Sequence, residues 1–120
     1  MKNWRWRVLF SFLIAMSAFT TRFRTAGAET PRMVTISAKR FEFSPNQITL
    51  KKGEPVTLQL TAEDVKHGFL QKTLKIDADI VPGKTTEVTF TPQMTGTFTT
   101  ICDNFCGSGH GNMKMTILVE

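Results

Sequence analysis

Twelve consecutive positions, Cys102-Asp-Asn-Phe-Cys106-Gly-Ser-Gly-His110-Gly-Asn-Met113, bring together two thiols, an imidazole and a thioether. Cys102 and Cys106 are the chain's two cysteines, and His67 and His110 are its two histidines. Soft sulfur donors mixed with a borderline nitrogen suit copper better than magnesium, calcium or manganese. His67 lies upstream in Asp64-Val-Lys-His67-Gly-Phe69, where a strand-like stretch gives way to a loop. The donors able to hold copper are therefore concentrated in two short segments.

Each residue also has a simpler reading. Cys102 and Cys106 could close a small disulfide loop in an exported protein. Met113 is in phase with Met115, Ile117 and Val119, as an inward-facing strand residue would be. A disulfide leaves His67, His110 and Met113 without a role, so their coincidence favours copper. Zinc could be closed by two thiolates and two imidazoles, but a neighbouring methionine would then do nothing, whereas copper uses thioethers. A nucleophilic Cys–His pair lacks an identifiable orienting Asn or Asp.

The elements that must position these groups have the period of strands. Val34–Ala38, Gln47–Leu50 and Pro55–Leu60 alternate apolar and polar residues, and Lys51-Lys-Gly-Glu54 is a turn signal between the last two. Pro82-Gly83 marks a turn before Glu87–Thr91, and strands are expected at Thr97–Ile101 and Met113–Val119. Gln71–Ile80 reads as a loop with one short strand. With no long amphipathic helical window, the fold class is all-β, a Greek-key sandwich or barrel. The sulfur-rich segment falls between the last two strands, in a loop that Gly107, Gly109 and Gly111 allow to curl tightly.

Residues 1–28 read as a segment apart. Lys2, Arg5 and Arg7 precede the apolar run Val8–Phe19, and Ala26-Gly-Ala28 resembles a cleavage point. As a helix the run reaches about 18 Å, short of the ~30 Å hydrocarbon core. A secretory signal peptide is expected, with a short N-terminal anchor as the alternative that Arg22 and Arg24 would suit. Residues 29–120 then form one domain. Five of the fifteen Lys and Arg residues lie in the leader, whereas all ten Asp and Glu lie from Glu29 onward. The remainder is near neutral, with no basic stripe for nucleic acid. An exported domain of this size builds a modest core that a bound metal would stabilise.

Cys102-x-x-x-Cys106-x-x-x-His110-x-x-Met113, with Asp64-x-x-His67, resembles the dinuclear copper A site of cytochrome c oxidase subunit II and of the nitrous-oxide reductase cupredoxin domain. The resemblance runs from about Arg40 to Glu120. It includes Phe43-Ser-Pro-Asn, Leu50-Lys-Lys-Gly and Val81-Pro-Gly83, and is greatest to subunit II of compact oxidases with a single-helix anchor. It implies a cupredoxin-like sandwich in which Cys102 and Cys106 bridge two copper ions. His67 and His110 would each bind one copper, with Met113 and the Asn104 carbonyl as weak ligands on opposite sides. Asn104 stands where the larger oxidases have a glutamate, so no magnesium site is implied. The implied role is periplasmic or otherwise extracytoplasmic electron transfer. A c-type cytochrome would be the donor and a terminal oxidase or related reductase the acceptor, with membrane association through the N-terminus. Loop side chains such as Phe69 and Phe105 are expected to bury the centre. A copper-handling protein and a blue-copper carrier built on Cys106, His110, Met113 and His67 stay open as alternatives.

Overall fold

A computed structural model describes residues 30–120; the leader reading of residues 1–28 lies outside them. Among the described residues nine strands follow one another, β1 (Arg32–Lys39), β2 (Glu42–Ser44), β3 (Gln47–Leu50), β4 (Val56–Ala62), β5 (His67–Gln71), β6 (Ile76–Ile80), β7 (Thr86–Phe90), β8 (Gly96–Ile101) and β9 (Lys114–Val119), with a 3-10 turn at His110–Asn112 before the last. They form two sheets, β2-β1-β4-β7 and β3-β9-β8-β5-β6. The all-β expectation holds. Among the described residues no helix is long and apolar enough to cross a membrane.

Alternation determines which face each strand buries. Ile36 and Ala38 of β1, and Met115, Ile117 and Val119 of β9, point inward while their neighbours are more exposed. These faces meet Leu58 and Leu60 of β4 to form the core, inside which Phe43 and Phe69 pack edge-on with centroids 5.5 Å apart. The crossing connections make β1 parallel to β4 and β3 parallel to β9.

The Val81-Pro82-Gly83-Lys84 turn illustrates how residue choice shapes the chain. Proline pre-sets the first corner, Gly83 takes φ +80°, and the Lys84 N–H donates to the Val81 carbonyl at 3.2 Å. Two departures concern the site. His67 does not close a strand but opens β5, after the 63–66 connection. Met113 lies one residue before β9 while keeping the inward phase of that strand.

Candidate metal centre

Three connections converge at one end of the sandwich: the β1–β2 turn, the β4–β5 connection and the long β8–β9 loop. β8 aims alternate residues inward, so Phe98, Thr100 and Cys102 are buried in succession. The loop then turns back on itself. The His110 N–H donates to the Gly107 carbonyl, Met113 N–H to His110, and Cys102 N–H to Met113 at 3.1 Å, closing the loop at its base. This folding brings Cys106 and Met113 beside Cys102.

The sulfurs are free thiols, both buried. Their Sγ atoms lie 4.0 Å apart, and the Met113 Sδ lies 3.8 Å from Cys106 Sγ. His67 Nδ1 is 3.9 Å from Cys102 Sγ, and His110 Nδ1 is 3.8 Å from Cys106 Sγ. The Asn104 carbonyl lies 3.2 Å from Cys102 Sγ. Donor atoms of His67, Cys102 and Cys106 all fall within 4.8 Å of one another. All six residues singled out in the sequence are thus gathered at one place. Because Met113 is both in strand phase and turned onto a sulfur, its two readings turn out to be compatible.

His67 is fully buried, and its ring is oriented from behind. Nε2 donates to Asp64 Oδ1 at 2.8 Å, which leaves the Nδ1 lone pair turned on the thiols. Asp64 is itself held by main-chain N–H donors, Arg40 at 2.7 Å and Val65 at 2.6 Å. Desolvation pushes its carboxyl up, but the Arg40, His67 and Val65 hydrogen bonds together outweigh this and hold it well below the usual range. Burial, and then the neighbouring Cys102, push the Cys106 thiol up. A metal taken into this site must therefore displace protons.

Gly68 is buried against the β8–β9 loop. Its N–H donates to Cys102 Sγ at 3.4 Å, and a Cβ there would run into Asp103 Oδ1 and come within 2.9 Å of the Asn104 nitrogen. Gly109 serves the other side, where a Cβ would sit 2.5 Å from the Phe41 ring. Phe69 is buried as expected, but Phe105 is not a cover. Its side chain is 76% exposed, standing in solvent with its ring 5.7 Å from that of half-buried His110. Asp103 and Phe105 are exposed on either side of half-buried Asn104, so sequence hydrophobicity misjudged Phe105. Asp64, Gly68, Arg40 and Phe41 support the site. Of these, the Asp64-x-x-His67 spacing was the visible signal; the Arg40 contact spans 66 residues and left none.

Thiol, thioether and imidazole donors gathered at the edge of the apolar core suit copper. Residues 8–119 match the family described as cupredoxin-like domain. The chain belongs to that family. Relatives of this cupredoxin domain include cytochrome c oxidase subunit 2 of Thermus thermophilus, 34% identical over 87 residues that cover 72% of this chain and 64% of that protein. Another is nitrous-oxide reductase of Cupriavidus necator, 35% identical over 72% of this chain and 14% of the reductase. The chain thus spans less than two thirds of the length of these curated relatives. Among solved structures, the periplasmic domain of subunit II of cytochrome oxidase (CoxB) of Bradyrhizobium japonicum superposes with a TM-score of 0.70 at 20% identity, covering 77% of this chain and 86% of that one. This last likeness establishes the fold.

Proposed function

We propose that this cupredoxin domain is an exported electron-transfer protein that holds a dinuclear copper A centre. In this reading it relays single electrons from a c-type cytochrome to a terminal oxidase or related reductase. One observation carries the proposal: two buried free thiols 4.0 Å apart, each faced by the Nδ1 atom of its own histidine. Similarity to cytochrome c oxidase subunit 2 and to nitrous-oxide reductase supports it.

Cys102 and Cys106 would hold both ions as thiolates, with His67 and His110 as one nitrogen ligand each, and Met113 and the Asn104 carbonyl as weak ligands. Copper bound there would supply a one-electron couple. The chain's own residues fix the frame around it. Asp64 holds the His67 ring, the loop-base hydrogen bonds hold Cys102 against Met113, and the apolar core keeps water from the sulfurs. Half-buried His110, beside exposed Phe105, is the more accessible of the two imidazoles, suited to contact with a redox partner. Residues 1–28 would direct residues 29–120 to the periplasm or another extracytoplasmic space, or tether them to the membrane there.

Metal analysis and electron spin resonance on the purified chain test this. Two coppers per chain and a signal split equally by two copper nuclei are expected. One copper with a single-nucleus signal would replace the reading with a blue-copper carrier, and copper lost readily to a chelator without redox activity would replace it with metal delivery. Met113→Leu should keep both coppers and shift the reduction potential, because a weak thioether ligand tunes the potential more than it holds the ions. Loss of half the copper in that variant would make Met113 a principal ligand instead.

A further inference from the structure

The β1–β2 turn touches both ligand-bearing segments. Arg40 donates its main-chain N–H to Asp64 Oδ2 at 2.7 Å, and Asp64 in turn holds His67. The Arg40 side chain reaches the other way, donating Nε–H to the Cys106 carbonyl at 2.8 Å. Phe41, the next residue, lies over Gly107 and Gly109, where a Cβ would come within 2.8 and 2.5 Å of its ring. One short turn thus spans from the His67 side of the site to the Cys106 side.

We infer that Arg40 is a positioning residue whose guanidinium fixes the Cys106 backbone and raises the reduction potential of the centre. This rests on the copper reading above. Reduction adds negative charge to the site, and a cation hydrogen-bonded to a ligand's own carbonyl favours that change. The opposite influence comes from the Asp64 carboxylate behind His67, which favours the oxidised state. Arg40 therefore offsets a nearby anion. The two contacts of Arg40 are chemically separable. Gln or Lys at position 40 keeps the main-chain N–H that donates to Asp64, and Phe41 is unchanged, so either substitution removes the guanidinium while keeping the turn's other contacts. Arg40 is otherwise exposed to solvent, which screens its charge. The expected effect is therefore at the low end of what a charge at hydrogen-bonding range does to an ionisation, about tenfold.

The test compares copper-loaded wild type, Arg40→Gln and Arg40→Lys by potentiometric titration followed optically, with electron spin resonance and metal content measured on each. Arg40→Gln should shift the equilibrium about tenfold toward the oxidised form, ~59 mV for one electron. Its copper content and spin-resonance splitting should match wild type. Arg40→Lys, which keeps the charge, should lose clearly less. An Arg40→Gln potential equal to wild type with two coppers bound overturns this inference and leaves the copper centre standing. So does an equal fall in both variants, which would assign the effect to lost packing geometry. A wild-type metal count other than two overturns the underlying reading instead, and this inference with it.

Discussion

Cys102→Ser is expected to abolish the proposed dinuclear centre while leaving the fold standing. The Cys102 sulfur lies at the middle of the site, against Cys106 Sγ, His67 Nδ1, the Asn104 carbonyl and the Gly68 N–H. A serine oxygen placed there can still donate to the Asn104 carbonyl and accept from Gly68, so the metal-free chain should lose only about 1–2 kcal/mol. It cannot serve as a soft anionic bridge. Copper content should fall to one per chain or less, and the optical and spin-resonance signature of a shared pair should vanish. An optical spectrum unchanged from wild type would overturn the bridging role.

Gly68→Ala should be the most damaging change that removes no ligand. The added methyl meets the Asp103 carboxylate, which could swing away, and the Asn104 main-chain nitrogen, which cannot without carrying the loop between the two cysteines with it. Overpacking of this kind costs about 1–3 kcal/mol. Each kcal/mol corresponds to about 4–8 °C of melting temperature in a domain of this size. The metal-free chain should therefore melt earlier, and the loaded chain should release copper faster to a chelator. Equal melting and equal retention would show that the 103–105 segment adjusts freely.

Much of this architecture could be read from the chain, and the parts that could not share a cause. β3 was predicted at its observed bounds because Ile48 and Leu50 alternate with polar neighbours on a half-buried edge. β5 was missed because His67, Gly68, Phe69 and Gln71 are all covered, so no alternation survives to mark it. β2 spans Glu42–Ser44, too short to show any period. The proposed ligands were visible because five of the six share one loop, and the chain has no cysteine and only one histidine outside it. What surrounds them was harder to see. Arg40 reaches Cys106 only through the pairing of distant strands, and Phe105 looks like core by composition yet stands in water, although its neighbour Asn104 turns its carbonyl to Cys102. Hydrophobicity reports what a side chain prefers, whereas the loop's path decides what it gets.

The placement of β9 bears on when the site can exist. This strand is interior to its sheet, parallel to β3 on one side and antiparallel to β8 on the other, and it anchors the downstream end of the ligand loop. A nascent polypeptide emerges from its N-terminal end, so the two thiols leave the ribosome before the strand that gathers them against Met113. Until residues 114–119 have docked, Cys102 and Cys106 sit on an unclosed segment, open to oxidation or to stray metal. In the proposed copper reading, capture of the ions would therefore follow completion of the sandwich, because the unfolded chain holds no preformed site, and maturation would be a late event instead of a seed for folding.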